Sequence, residues 1–264
     1  MTFPWLEVPV VHPVRFRGSG GAGGSHPILL EADNGRIIHV KLKHNPQSTR
    51  SLVSDWVGTL LAKAVLAPVP DVVLVDIPFS RIGDIPELTR VRWHPGRQFG
   101  TVFVLGAKKI SGNTPLANLS NLHDLPLVAL TESWLYNNDI KFSHLLWCAE
   151  PVPHFLVTDH GFIFPSGPNW TPRTLSIRQF DFPSISPLTE IARSLAMEWD
   201  FSGALKRIRQ ITPDVLESLM ASVPSEWPLN SEQRNAVIQF LVRRQPLLDA
   251  AAARLNRIWT VRAN

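Results

Sequence analysis

One helical stripe set among strand-like segments restricts what the first hundred residues can form. Leu52, Trp56 and Leu60, reinforced by Val53, Val57 and Leu61, recur at i, i+4 and i+8, the spacing of a helix that buries one face. Around it, residues 14–17, 28–31, 36–42, 71–78 and 101–105 are β-branched or apolar runs, bounded by turn formers of which Asp33-Asn34-Gly35 is the strongest. Ahead of them, Pro4, Pro9 and Pro13 forbid helix and leave an extended lead-in. These patterns predict a small lobe of five strands and one helix over residues 1–105, with a hinge near Gly106.

Beyond the hinge the signals turn helical. Residues 125–135 are apolar enough for a buried helix that delivers Asp139 to its C-terminal end. Ser186-Pro187 predicts a helix through Glu198, Thr212-Pro213-Asp214 another through Val223, and Asn230 to Gln233 a capping box ahead of Val237, Phe240 and Leu241. Between Gly161 and Pro187, many Pro, Ser and Thr residues predict a long irregular loop. The tail, with Arg254, Arg257 and Arg262, is amphipathic and basic.

Candidate chemistry lies at the joins. Asp139 precedes an apolar return and Asp159 ends a hydrophobic strand just before Gly161. Two such carboxylates can flank one metal-bound phosphate, the first taking the proton of an attacking hydroxyl and the second holding the cation. The glycine-rich run Gly18 to Gly24, followed by Ser25, fits a flexible hairpin loop as well as a loop whose bare N–H groups approach phosphate oxygens. Lys41 stands in a strand, where a lone lysine ordinarily points to solvent. Asp55 on the following helix changes that reading, because an acid there can orient the ammonium by a charge-assisted hydrogen bond. An exposed helix aspartate is the plainer reading of the same residue.

Composition removes other classes. With 44% hydrophobic and 18% charged residues the chain reads as globular rather than disordered. Its formal charge of +4 is scattered rather than gathered in a run, so direct nucleic-acid binding is not expected. No apolar run reaches the ~18 residues of a membrane span, and residues 1–5 lack a charged leader, which points to the cytoplasm and to no membrane partner. The lone Cys148 fits a reducing compartment, and the histidines lack zinc-type spacing.

In their order and spacing, Gly24-Ser25-His26-Pro27, Val40-Lys41, the 52–61 helix with its acid, Pro68-Val69-Pro70, Gln98-Phe99-Gly100, Asn137-Asn138-Asp139 and Asp159-His160-Gly161 resemble the HipA-like kinase domain, over residues 14–164. The resemblance implies an α+β, two-lobed protein-kinase-like fold, with a small antiparallel-sheet N-lobe carrying one helix and a mainly helical C-lobe over residues 106–264. It implies ATP as donor, Mg²⁺ or Mn²⁺ as cofactor, and a protein Ser or Thr as acceptor, with Ser25 a candidate for autophosphorylation. Asp139 then matches the catalytic base and Asp159 a metal ligand. Lys41, Asp55, Gly23, Gly24 and Ser25 match nucleotide contacts. Relatives include bacterial toxins, so an antitoxin or other protein partner is a candidate.

Three residues depart from the pattern. Ile140 replaces an Arg after the catalytic Asp, His144 stands where a metal-binding Asn is usual, and Asp55 replaces a longer Glu. They open an alternative, a catalytically degenerate pseudokinase acting as a nucleotide-binding or protein-interaction scaffold. A third reading takes the Pro-rich stretch and basic tail as a docking surface.

Overall fold

The computed structural model describes residues 3–83, 85–177, 181–195 and 197–260; Met1, Thr2 and the tail residue Arg262 lie outside them. Strands β1 (Val10–Val11), β2 (Pro13–Ser19), β3 (Ile28–Ala32) and β4 (Ile37–Lys41) are followed by helix α1 (Arg50–Ala64), then by β5 (Val72–Ile77) and β6 (Gly96–Val102). They form one six-stranded sheet in the order β1-β5-β6-β4-β3-β2. Only His12 separates β1 from β2, yet they are its two edges, so the sheet has to curl until those edges approach each other.

The expected antiparallel sheet is corrected at one edge, where β1 runs parallel to β5 with Val10 opposite Leu74. Pro9 and Pro13 bracket β1 and limit it to two residues, too short to impose a full ladder. The strand expected at 101–105 instead begins at Gly96 and ends at Val102, with Phe99 opposite Lys41. Phe103 and Leu105 are exposed linker residues rather than strand.

Side-chain alternation along β4 decides where the chemistry sits. Ile38 and Val40 enter a small core with Leu30, Val73, Val75 and Ile77, whereas His39 and Lys41 face the opposite side of the sheet. Against that side lies α1, buried from Ser51 to Ala62 and thus on every face rather than along one stripe. A second, larger core joins α1 to the helical half through Trp56, Trp134, Phe164, Trp227 and Phe240.

The second half contains a three-stranded sheet, β7 (Lys108–Lys109), β8 (Leu145–Cys148) and β9 (His154–Val157), and seven helices among the described residues. These are α2 (Leu125–Leu135), α3 (Pro172–Ile177), α4 (Ser186–Leu195), α5 (Ser202–Arg209), α6 (Pro213–Ser222), α7 (Ser231–Arg244) and α8 (Leu248–Thr260). The capping box at Asn230 and Gln233 forms, and Thr212 caps α6 through Val215 N. The long loop expected after Gly161 holds α3, because Thr171 and Thr174 cap it reciprocally, each hydroxyl accepting from the other's N–H. Helix α4 stops short of Glu198, which lies in coil; Ala196 falls outside the described residues.

Arg244 fixes the end of α2. It is fully buried and donates to Ser133 O, Trp134 O and Asp181 O at 2.6–2.9 Å, while Tyr136, Phe182 and Phe240 surround its guanidinium at 5.1–5.3 Å. Burial lowers its pKa to about 10, which leaves it charged at neutral pH. Two of these carbonyls, those of Ser133 and Trp134, belong to the last turn of α2, where Tyr136 takes a left-handed conformation (φ 56°) and starts the segment leading to Asp139. Arg244→Leu is expected to lower the unfolding free energy by ~3–5 kcal/mol, because a buried cation's partners are left unsatisfied. Urea denaturation checks this, and a loss of under ~1 kcal/mol would contradict the capping role.

Candidate active site

A cavity of about 490 Å³ opens between the six-stranded sheet and the helical half. The residues singled out in the sequence, Gly23, Gly24, Ser25, Lys41, Asp55, Asp139, His144 and Asp159, all line it.

At its floor Lys41 Nζ donates to Asp55 Oδ1 and Oδ2 at 3.0 and 2.8 Å and to Asp159 Oδ1 at 2.7 Å. Lys41 is 5% exposed and Asp55 1%, so the ion pair is buried. Asp159 follows β9 with a left-handed backbone (φ 69°), a conformation that aspartate tolerates better than most residues. Burial opposes the Lys41 ammonium, but attraction from Asp159 and Asp55 outweighs it and holds its pKa above the ordinary lysine value. Burial pushes the Asp55 carboxyl up to about 6 in spite of the adjacent ammonium. Asp159 goes the other way: burial is overcome by Lys41 and His144, which hold it well below the usual carboxylate range.

His144 ends a short turn (Phe142–His144), with Nε2 3.5 Å from Asp159 Oδ2. Burial lowers its pKa, so the imidazole is neutral at neutral pH, and among the described residues its buried Nδ1 has no hydrogen-bond partner. An imidazole and a carboxylate therefore face the same cavity. Among the described residues no group of three or more His, Cys, Asp or Glu side chains forms a metal cage. A divalent ion here would complete its shell with water and phosphate oxygens.

Asp139 lies at the cavity rim, its N–H bonded to Asn137 Oδ1 at 3.1 Å and its carboxylate paired with Lys141 at 2.7–2.9 Å. Ile140, between Asp139 and this Lys141, is buried in the core. On the opposite wall Gly20 N donates to Pro27 O at 2.7 Å and Gly20 O meets His39 Nε2 at 3.2 Å, which ties the glycine loop to β4. Ser25 is 3% exposed.

A buried network that the sequence analysis passed over joins the two aspartates. His160 N donates to Asp55 Oδ1 at 3.1 Å, and its ring contacts Glu132 Oε1 at 3.1 Å and Thr59 Oγ1 at 3.0 Å. Burial opposes charge on His160, but Glu132 outweighs it and holds the pKa above the ordinary histidine value. Glu132 Oε2 in turn accepts from Asn137 Nδ2 at 2.7 Å, which reaches Asp139. One signal was available: Glu132 is the sole charged residue in the apolar run of 125–135, and a lone buried acid requires a partner.

No family model and no curated protein matches the sequence. Among solved structures, the proinflammatory kinase CtkA of Helicobacter pylori is similar over 95% of this chain and 98% of its own, with a TM-score of 0.56 at 14% identity. Hydra Fam20, solved with sugar, is similar over 94% and 87%, with a TM-score of 0.58 at 13% identity. A fainter likeness, TM-score 0.44 at 11% identity, covers 86% of this chain and 61% of HipA from a Shewanella oneidensis toxin–antitoxin complex with HipB and operator DNA. The fold is therefore the one that the motif resemblance implied: the chain is an α+β protein of the two-lobed, protein-kinase-like class.

Proposed function

We propose that the chain is a kinase that transfers the γ-phosphate of ATP to a Ser or Thr hydroxyl of a protein. The observation that supports this most is the buried junction of Lys41 with Asp55 and Asp159 on the same cavity as the glycine loop and Asp139. The three N–H donors of Lys41 serve three carboxylate oxygens. Exchanging the Asp159 contact for a phosphate oxygen leaves Asp55 still aiming the ammonium. Phe99, Val102, Leu146 and Val157 give the cavity an apolar wall suited to a base, and the glycine loop brings N–H groups toward the phosphates.

Asp139 is the general base for the acceptor hydroxyl, and Lys141 beside it adds positive charge near the transferring group. Asp159 and His144 would hold a divalent ion, and the His144 ring, whose Nε2 already faces Asp159 Oδ2, fits that role. When bound, the ion neutralises charge on the phosphate oxygens. Ser25 is buried, so it serves as an acceptor only when the glycine loop opens. One residue favours a second reading: His144 offers nitrogen where Mg²⁺ prefers oxygen, as expected of a scaffold that binds nucleotide without turnover.

Incubation with labelled ATP, cell lysate and Mg²⁺ or Mn²⁺ separates the two. Asp139→Asn is expected to lower transfer by ~10²–10⁴-fold, the usual contribution of a general base, with the ATP-induced thermal shift retained. Wild type that labels no more than this variant under either metal leaves only the scaffold. His144→Asn, which supplies an oxygen donor, is expected to raise transfer with Mg²⁺ relative to Mn²⁺. An unchanged metal ratio would remove His144 from the ion's shell.

A further inference from the structure

A second concavity, of about 690 Å³, shares no lining residue with the first. Segments far apart in the chain build it. Lys43 and His44 come from the link between β4 and α1, Arg50 from the first turn of α1, and Arg92 and His94 from the segment before β6. Asn169 and Glu226 come from the helical half.

Its charge is unbalanced. Lys43, Arg50 and Arg92 face one carboxylate, Glu226, and that carboxylate is already engaged. Glu226 Oε1 accepts from Lys43 Nζ at 3.3 Å and also from Arg97 N. Lys43 is 7% exposed, so a built ammonium rather than a waving surface lysine stands at this wall. Arg50 Nη1 donates to Trp170 O at 2.6 Å, and its ring-stacked guanidinium retains other N–H donors. The side chains of Arg92 and His94 are exposed and, among the described residues, make no hydrogen bond or ion pair. His94 instead lies against His44, ring centroids 4.2 Å apart and tilted by 32°. Burial and then His94, Arg92 and Lys43 hold the His44 pKa below the ordinary histidine value. An anion seated beside the two rings could accept from their N–H groups while facing Lys43, Arg50 and Arg92.

We infer that this concavity binds a phosphate group, either inorganic phosphate or a phosphate monoester, with Arg92 and Lys43 as charge partners and His44 and His94 as N–H donors. A tetrahedral dianion offers acceptor oxygens in several directions and suits donors that converge from separate segments, with the planar fork of Arg92 the best matched. Such a ligand would join the start of α1, the helix that carries Asp55, to the Asn169 and Glu226 segments. This inference does not depend on kinase activity.

The test is an NMR titration of the His44 and His94 ring signals in the full chain, assigned with His44→Gln and His94→Gln. Potassium phosphate and O-phosphoserine are compared with potassium chloride at matched ionic strength. Saturable shifts of both rings with phosphate, but not chloride, are expected, and Arg92→Ala should weaken them by about tenfold, the loss of one charge-assisted contact. Tighter saturation by phosphoserine identifies a phosphorylated side chain as the source, and tighter saturation by inorganic phosphate identifies the free anion. Ring shifts that follow chloride equally, that fail to saturate, or that are unchanged in Arg92→Ala overturn the site. Because the rings report locally, phosphate bound at Lys41 does not imitate the result.

Discussion

The buried ammonium of Lys41 is the contact on which the rest of the architecture depends. A charge removed from water is stable only when oppositely charged, well-oriented partners replace its hydration, and stripping away one partner of such a pair costs ~3–5 kcal/mol. Lys41 meets that requirement with Asp55 from α1 and Asp159 from the end of β9, so three elements distant in sequence are fixed at one point. Alternation along β4 leaves little choice. Ile38 and Val40 claim the small core, and Lys41 can only face α1 and the helical half.

The network around this ion pair holds three carboxylates, Asp55, Asp159 and Glu132, against the Lys41 ammonium and the His160 ring, whose charged form Glu132 favours. The surplus negative charge falls where solvent can reach it, because Asp159 alone of the three has a substantially exposed side chain, at 37% against 1% and 2%. A site arranged in this way is predisposed to a cation at its mouth. It is also rigid behind that mouth, since His160, Glu132 and Asn137 link the Asp159 turn to the segment of Asp139 by successive hydrogen bonds. Arg244 secures the same segment from the other side through the last carbonyls of α2.

Much of this was legible where local chemistry decides the structure. The stripe of Leu52, Trp56 and Leu60, the apolar run of α2 and the Asn230 capping box each carry their own instruction, and each formed. What the sequence left unread depends on partners elsewhere in the chain. The parallel β1–β5 edge follows from curling of the whole sheet around His12, and the start of β6 at Gly96 follows from its pairing with β5. The Thr171–Thr174 cap was local but lay hidden in a stretch rich in Pro, Ser and Thr. In the cavity, the residue types that bear charge stood out, whereas Lys141 acquired meaning only when its ammonium was found on Asp139.

The acid at position 55 is a short one, and close backbone approach brings it to its partners. Asp55 reaches Lys41 at 2.8 Å, and two glycines permit the close approach of α1 to the turn after β9. A Cβ on Gly58 would stand 2.5 Å from His160 Cβ, and one on Gly161 would stand 3.0 Å from Asp55 Oδ2 and 3.3 Å from Lys41 Nζ. Neither contact can be relieved by a flexible side-chain tip, since the first is with a Cβ and the second with a buried ion pair. The same proximity lets His160 N donate to Asp55 Oδ1, a bond that a longer, more mobile side chain would hold less firmly. The aspartate at 55 and the glycines at 58 and 161 thus form one unit, because a Cβ at either glycine would push α1 and the His160 turn apart and with them the Asp55 contacts.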